Sequence, residues 1–153
     1  EAQWQYSCRG GATSQYHFGN DAEDLALYGN VADGTARKQF PNRPTIKAED
    51  GYVFTAPVGQ FKKNQFGLHD MHGNVAEWCA DWYGYVAYRE ERQVDPAGPP
   101  EGRLRVFRGG CWARGARFCR AAFRSARRCR WKVADRYANV GFRVALSFPP
   151  SGK

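Results

Sequence analysis

The sequence predicts an α+β domain that is rich in loops, with short helices and small antiparallel sheets. Three observations predict it. Seventeen glycines and eight prolines in 153 residues interrupt regular structure at close intervals. Aromatic residues make up 15% of the chain and are spread along all of it, so rings rather than long ladders are expected to supply the core. Apolar residues alternate at period two only in short runs, around residues 104–106 and 140–146. A hydrophobic content of 42% argues against disorder. The length suits one domain with a real core, assigned to residues 1–148, followed by a tail at 149–153 that is expected to fray.

The elements follow in order. Residues 1–11, EAQWQYSCRGG, read as a turn or two of amphipathic helix stopped by Gly10 and Gly11. They carry neither a signal-peptide nor a transit signature and read as the middle of something: an upstream segment removed, or an unusually short version of the fold. Residues 21–29 are expected to start a short helix with Asp21 as its N-cap. Residues 30–56, dense in Gly, Pro, Asn and Asp, are expected to be mostly irregular. Leu104 and Val106 alternate with arginines, which suits a half-buried strand running into Gly109 and Gly110. The clearest strand is expected near the C-terminus, with Val140, Phe142, Val144 and Leu146 on one face and Arg143 on the other. Trp78, Trp82 and Trp112 are expected in the core, and Gly67, Gly73, Gly109 and Gly110 at turns that a β-carbon would obstruct. No apolar run approaches the roughly 20 residues that span a bilayer, so membrane insertion is not expected.

The net charge of +8 is unevenly spread: the acids lie mostly in residues 1–100, whereas 103–143 is densely basic. Such a stretch can bind a polyanion or form a solvated face. Here the arginines are interleaved with aromatics in a segment expected to fold, and nucleic acid is not expected as the partner. The five cysteines, Cys8, Cys79, Cys111, Cys119 and Cys129, are odd in number and include no CxxC, and only three histidines accompany them. That pattern suits neither a zinc site nor a disulfide framework, and buried free thiols are expected.

Three segments in order resemble the formylglycine-generating-enzyme family. They are EAQWQYSCRGG with FGN at 18–20; TAPVGQFKKNQFGLHDMHGNVAEWCADWY at 55–83; and RVFRGGCW at 105–112 with CRAAFR at 119–124 and VGFRVA at 140–145. The resemblance implies a C-type-lectin fold of that type and matches the C-terminal part of a full-length member. It also implies two structural calcium sites. One maps to the side chains of Asp70 and Glu77 with carbonyls of Gly73 and Val75. The other maps to the side chains of Asn30 and Asp50 with carbonyls of Val31 and Tyr52. These are oxygen donors of the kind hard cations prefer. The competing reading for Asp70 and Glu77 is that they accept hydrogen bonds from their own turn. The family's oxidases bind copper through two cysteines five residues apart. By alignment on RGGCW the second is Cys119, but the first position holds Arg114, which cannot ligate a soft metal. Copper is therefore not expected, and neither is catalysis.

The chain also resembles the variable proteins of diversity-generating retroelements, which carry this fold and randomise a segment between RGGSW-like and GFR-like anchors. The resemblance implies a non-catalytic ligand-binding module whose variable surface comprises Cys111, Ala113, Arg114, Gly115, Phe118, Phe123, Tyr137, Ala138 and Asn139. Aromatic and arginine side chains suit such a surface; the competing reading is that Phe118 and Phe123 are core residues and the arginines a solubilising face. Trp131 and Lys132 do not fit an asparagine-codon origin and would be fixed by the template or derived from other codons. The expected partner is a protein or other macromolecule, with the domain itself a monomer. No compartment follows; display on a cell surface or a virus particle would suit the reading. The alternative is an oxidoreductase of the formylglycine-generating type, or a degenerate relative, acting through Cys119.

Overall fold

A computed structural model describes residues 1–84, 93–94, 96–125 and 137–146. Cys129, Trp131, Lys132 and the tail at 149–153 lie outside the described residues. The elements run α1 (Ala2–Arg9), α2 (Leu25–Tyr28), α3 (Gly34–Gln39), β1 (Ala76–Trp82), β2 (Arg105–Arg108), a 3₁₀ turn (Ala116–Phe118) and β3 (Val140–Gly141). Short helices and one small sheet joined by long loops make this the loop-rich α+β architecture expected.

Helix α1 ends where the glycines predict. Gly10 takes φ 55°, a left-handed conformation that closes the helix through its amide on the Tyr6 carbonyl. Helix α2 starts later than expected. Asp24 rather than Asp21 is its N-cap, and the Asp21 carboxylate instead accepts the Glu23 amide in a turn one step earlier. Helix α3 interrupts the segment expected to be irregular. Asp33 caps it, its carboxylate accepting the Ala36 amide at 2.8 Å, and this local bond outweighs the Gly-rich surroundings.

The sheet has the order β2-β1-β3. Strands β1 and β2 are antiparallel, with Glu77 opposite Arg108 and Trp78 opposite Phe107. Strand β3 is parallel to β1, so the sheet is mixed rather than wholly antiparallel. A parallel pair needs a long return path, and the segment between β2 and β3 supplies one. The C-terminal strand is a correction too. Pairing stops at Gly141, and Phe142, Val144 and Leu146 are 76%, 84% and 80% exposed, because no layer among the described residues faces them.

The core differs in kind from the expectation. Trp78, Trp82 and Trp112 are half-buried, packing on their neighbours by ring edges and cations: Trp78 on Phe107 at 5.6 Å, Trp82 under Arg105, and Trp112 on Phe54. The fully buried apolar groups are smaller. Tyr16, Leu25, Val31, Ile46 and Cys119 form one cluster, and Cys8, Met71 and Ala121 another. Buried polar residues fill the rest, among them Asn30, Asp33, His72, Asn74, Glu77 and Arg108. They are tolerated because they are hydrogen-bonded in place of the missing ladders. Backbone bonds stitch the loops directly. Asn74 N–H donates to Asn30, Trp112 N–H to Asn74, Ala32 N–H to Arg114 and Ile46 N–H to Ala32.

Candidate functional site

That chain of backbone bonds holds two loops, 43–46 and 113–118, on either side of an open groove of about 730 Å³. The second loop is shaped locally. Arg114 N–H closes a turn on the Cys111 carbonyl, and Phe118 and Cys119 close the 3₁₀ turn on Gly115 and Ala116. Ala113, Arg114, Gly115 and Phe118 line the groove with Arg117, facing Arg43, Pro44, Thr45 and Ile46. Phe118 is half-buried, with the guanidiniums of Arg117 at 4.5 Å and Arg114 at 5.5 Å from its ring centre. Phe123 meets Phe118 edge-on at 5.2 Å, behind the groove lining. Neither phenylalanine belongs to the fully buried clusters.

The other expected surface residues lie around Trp112. Tyr137 and Ala138 are exposed, and the Ala138 carbonyl accepts Trp112 Nε1–H at 3.3 Å. Asn139 is half-buried and turns its amide towards Cys111 Sγ at 3.5 Å. Cys111 itself is a correction: it is 3% exposed and cannot contribute to a presented surface. Its side chain points inward from the turn that places Arg114 outward. Sequence reasoning missed Phe40, Arg43 and Phe54. Arg43 lies over Phe40 at 4.2 Å and over Trp112 at 5.6 Å, and Phe54 meets Trp112 at 5.2 Å. No local signal marks these residues, because they reach the site only through contacts across some 60 to 70 residues of chain.

Three of the four described thiols, Cys8, Cys111 and Cys119, are buried. Cys8, Cys79, Cys111 and Cys119 form no disulfide, as expected of free thiols, although Cys79 is only half-buried. Cys119 is fully buried, and burial, with Cys111 beside it, pushes its pKa far above the usual thiol range. Burial likewise raises Cys111, and carries Cys8 up to about 12 and Cys79 to about 11. A reactive thiolate needs exposure and nearby positive charge, which Cys119 lacks. At the position where the family's oxidases carry a first cysteine, the Arg114 guanidinium lies over Phe118 instead.

Two oxygen-rich places correspond to the expected calcium sites. Asn30 Oδ1 and Asp70 Oδ1 are the two side-chain oxygens among the described residues that are buried without a hydrogen-bond partner. In the first place, Asp50 accepts amides from Tyr52 at 2.8 Å and Val31 at 3.0 Å. Burial, with Asp33 against it, raises the Asp50 carboxyl above its usual range. Among the described residues no cluster of three or more His, Cys, Asp or Glu side chains forms a metal site, but the unfilled Asn30 oxygen and the buried Asp50 carboxyl are donors of the kind a hard cation takes. Asn30 and Asp50 side chains and the Val31 and Tyr52 carbonyls would hold it and so brace the loops around them. In the second place, Asp70 takes φ 59°, accepts the Gly59 amide at 2.7 Å, and lines a cleft with Val75 and Glu77. The Glu77 carboxylate there already meets Arg143 at 2.7 Å and Trp4 Nε1–H at 2.7 Å, so this set fits a cation less well. Gly73 sits between the two places at φ 97°; a β-carbon there would come 2.1 Å from the Asn30 carbonyl oxygen.

The family model of the sulfatase-modifying factor enzyme 1-like domain matches residues 1–148. The formylglycine-generating enzyme of Streptomyces coelicolor is 38% identical over 146 residues, covering 95% of this chain and 45% of that protein. The formylglycine-generating enzyme of Bos taurus is 36% identical over 153 residues, covering 99% of this chain and 39% of its own. Among solved structures, Treponema denticola variable protein 1 superposes with a TM-score of 0.72 at 29% identity, covering 92% of this chain and 44% of its own. The chain thus spans less than half the length of each of these relatives.

Proposed function

The chain belongs to the sulfatase-modifying factor enzyme 1-like family, and from that premise we propose that it is a non-catalytic ligand-binding domain whose binding surface is the groove around Phe118. The observation that carries the reading is Arg114. A guanidinium stacked over Phe118 stands where the family's copper-binding oxidases have a cysteine, and the remaining Cys119 is fully buried with its proton tightly held. The likeness to Treponema denticola variable protein 1 supports the same reading. By it, exposed or groove-lining positions within 113–139 are the ones a diversifying retroelement would vary.

A surface carried on loops that backbone bonds and buried polar groups already fix can change side chains at little cost, within about half a kcal/mol for most surface positions. Calcium at Asn30 and Asp50 would serve this role by bracing the loop opposite the groove. The second reading, an oxidoreductase acting through Cys119, is favoured by the names of the curated relatives. Copper(I) titration of the wild-type chain and of Cys119→Ala decides between them. We expect no stoichiometric tight site; one that the substitution abolishes would restore the oxidase reading. For diversification, the expected finding is a near-copy of the 111–141 coding segment, differing at adenines, beside a reverse transcriptase gene. Absence of any such copy would remove diversification from the reading.

A further inference from the structure

Several described arginines elsewhere have oxygen partners: Arg108 and Arg124 meet Glu1, Arg143 meets Glu77, and Arg9, Arg37, Arg105 and Arg120 donate to carbonyl or hydroxyl oxygens. The groove is different. Arg43, Arg114 and Arg117 line it together, no described Asp or Glu does, and none of the three forms a salt bridge with a described residue. In addition, Arg43 Nη1 is buried with no hydrogen-bond partner, a donor left unsatisfied at the groove wall. Desolvating such a donor is unfavourable unless something accepts from it.

We propose that the groove takes an acidic protein segment in which carboxylates alternate with apolar side chains, a refinement that rests on reading the domain as a binding module. The three guanidiniums lie over rings, Arg43 over Phe40 and Trp112, Arg114 and Arg117 over Phe118. A guanidinium held near a ring by its charge keeps N–H groups for bonds to carboxylates. The Phe118 ring, with Pro44, Ala113 and Ala116, supplies the apolar contacts between those charges. The groove's volume and open shape accommodate several residues of an extended chain rather than one small anion. The same arrangement disfavours nucleic acid. Single-stranded binding uses free ring faces as platforms for bases, and here Phe118, the described aromatic ring that lines the groove, has the guanidiniums of Arg114 and Arg117 against it.

The test is to pan a random-peptide phage library on the immobilised 153-residue chain and to measure the enriched peptides against variants. We expect enrichment of Glu- and Asp-containing sequences interspersed with apolar residues. Their affinity should fall about tenfold or more in Arg114→Glu and in Arg117→Glu, as expected for reversing a directly paired charge. It should stay unchanged in Lys63→Glu, an exposed lysine outside the groove lining that matches the change in net charge. Circular dichroism of each variant confirms that the fold is kept. Neutral or basic peptides captured through the groove, with binding lost in Phe118→Ala, would overturn the acidic class and leave the binding-module reading standing. Stronger binding of a single-stranded oligonucleotide than of the acidic peptides would replace protein by nucleic acid as the partner class. No groove-dependent enrichment of any kind would overturn both the acidic class and the binding-module reading.

Discussion

At the scale of single residues, His72 shows how this fold uses polar groups as core. It is fully buried, and its Nδ1 lies 2.7 Å from the Cys119 carbonyl, which can only accept, so Nδ1 carries the proton. Nε2 is then free to accept the His17 amide at 3.2 Å. The ring also stacks on His17 at 5.1 Å and meets Tyr16 edge-on. A second proton would have to sit against the His17 N–H, and burial, with His17 adding to it, lowers the pKa to about 4. A histidine depressed in the folded state binds fewer protons than in the unfolded chain between about pH 6.5 and 4. Stability therefore rises with pH across that window and is lost on acidification, by roughly 3 kcal/mol in full. The raised Asp50 carboxyl acts with the opposite sign, releasing its proton as pH rises and removing stability. We expect urea midpoints to fall between pH 6.5 and 4.5 and to fall less in His72→Gln, the difference isolating His72. Equal slopes for the two proteins would show that His72 stays uncharged in both states or is hydrated in the fold.

Elements here are short, and what fixes them is one arginine more than their own ladders. Strand β2 buries Val106 and Arg108 on one face, and the Arg108 guanidinium is nearly fully buried. It donates to the carbonyls of Ala121 at 3.0 Å and Phe123 at 2.9 Å, and also reaches the Gln5 side chain of α1 and the Trp4 ring. One side chain thereby joins β2, α1 and the turn that carries Phe123 behind the groove. Removing it strands several buried carbonyls, at about 3–5 kcal/mol for a buried charged group with its partners left behind. We expect Arg108→Ala to lower the chemical-denaturation free energy by that order and to weaken ligand capture through displacement of Phe123. A loss below about 1 kcal/mol would mean that water replaces the guanidinium at those carbonyls. Arg105, three residues earlier on the same strand, is exposed over Trp82, so its removal is expected to cost within about 0.5 kcal/mol.

On the scale of the whole molecule, loops outnumber ladders, and a cation at Asn30 and Asp50 would act as a tie between residues 30–31 and 50–52. Calcium bound to the folded state alone would stabilise it by about 2.7 kcal/mol at a hundred times its dissociation constant. We expect calcium added to chelator-treated protein to raise the melting temperature, and Asp50→Asn to remove that rise while Glu77→Gln leaves most of it. If Glu77→Gln removes the rise and Asp50→Asn does not, the cation belongs at the 70–77 turn, with Arg143 displaced from the Glu77 carboxylate.

By itself the sequence determined the family, the loop-rich α+β class, the α1 helix and its glycine stop, β2, and the turns at Gly73, Gly109 and Gly110. Each of these depends on local chemistry: a left-handed glycine, a capping position, an apolar alternation, or motifs long enough to be specific. Arg114 in place of a cysteine was legible for the same reason, since one residue's identity decides whether a soft metal can be held there. Tertiary structure decided the rest. It left Phe142, Val144 and Leu146 exposed despite their strand-like alternation, because period two predicts a face but not what covers it. It left Trp78, Trp82 and Trp112 half-buried, turned Cys111 inward, brought Arg43 to the groove, and set Phe54 against Trp112. Those placements come from backbone bonds between loops far apart in the chain, and no local pattern encodes which distant amide a carbonyl will meet.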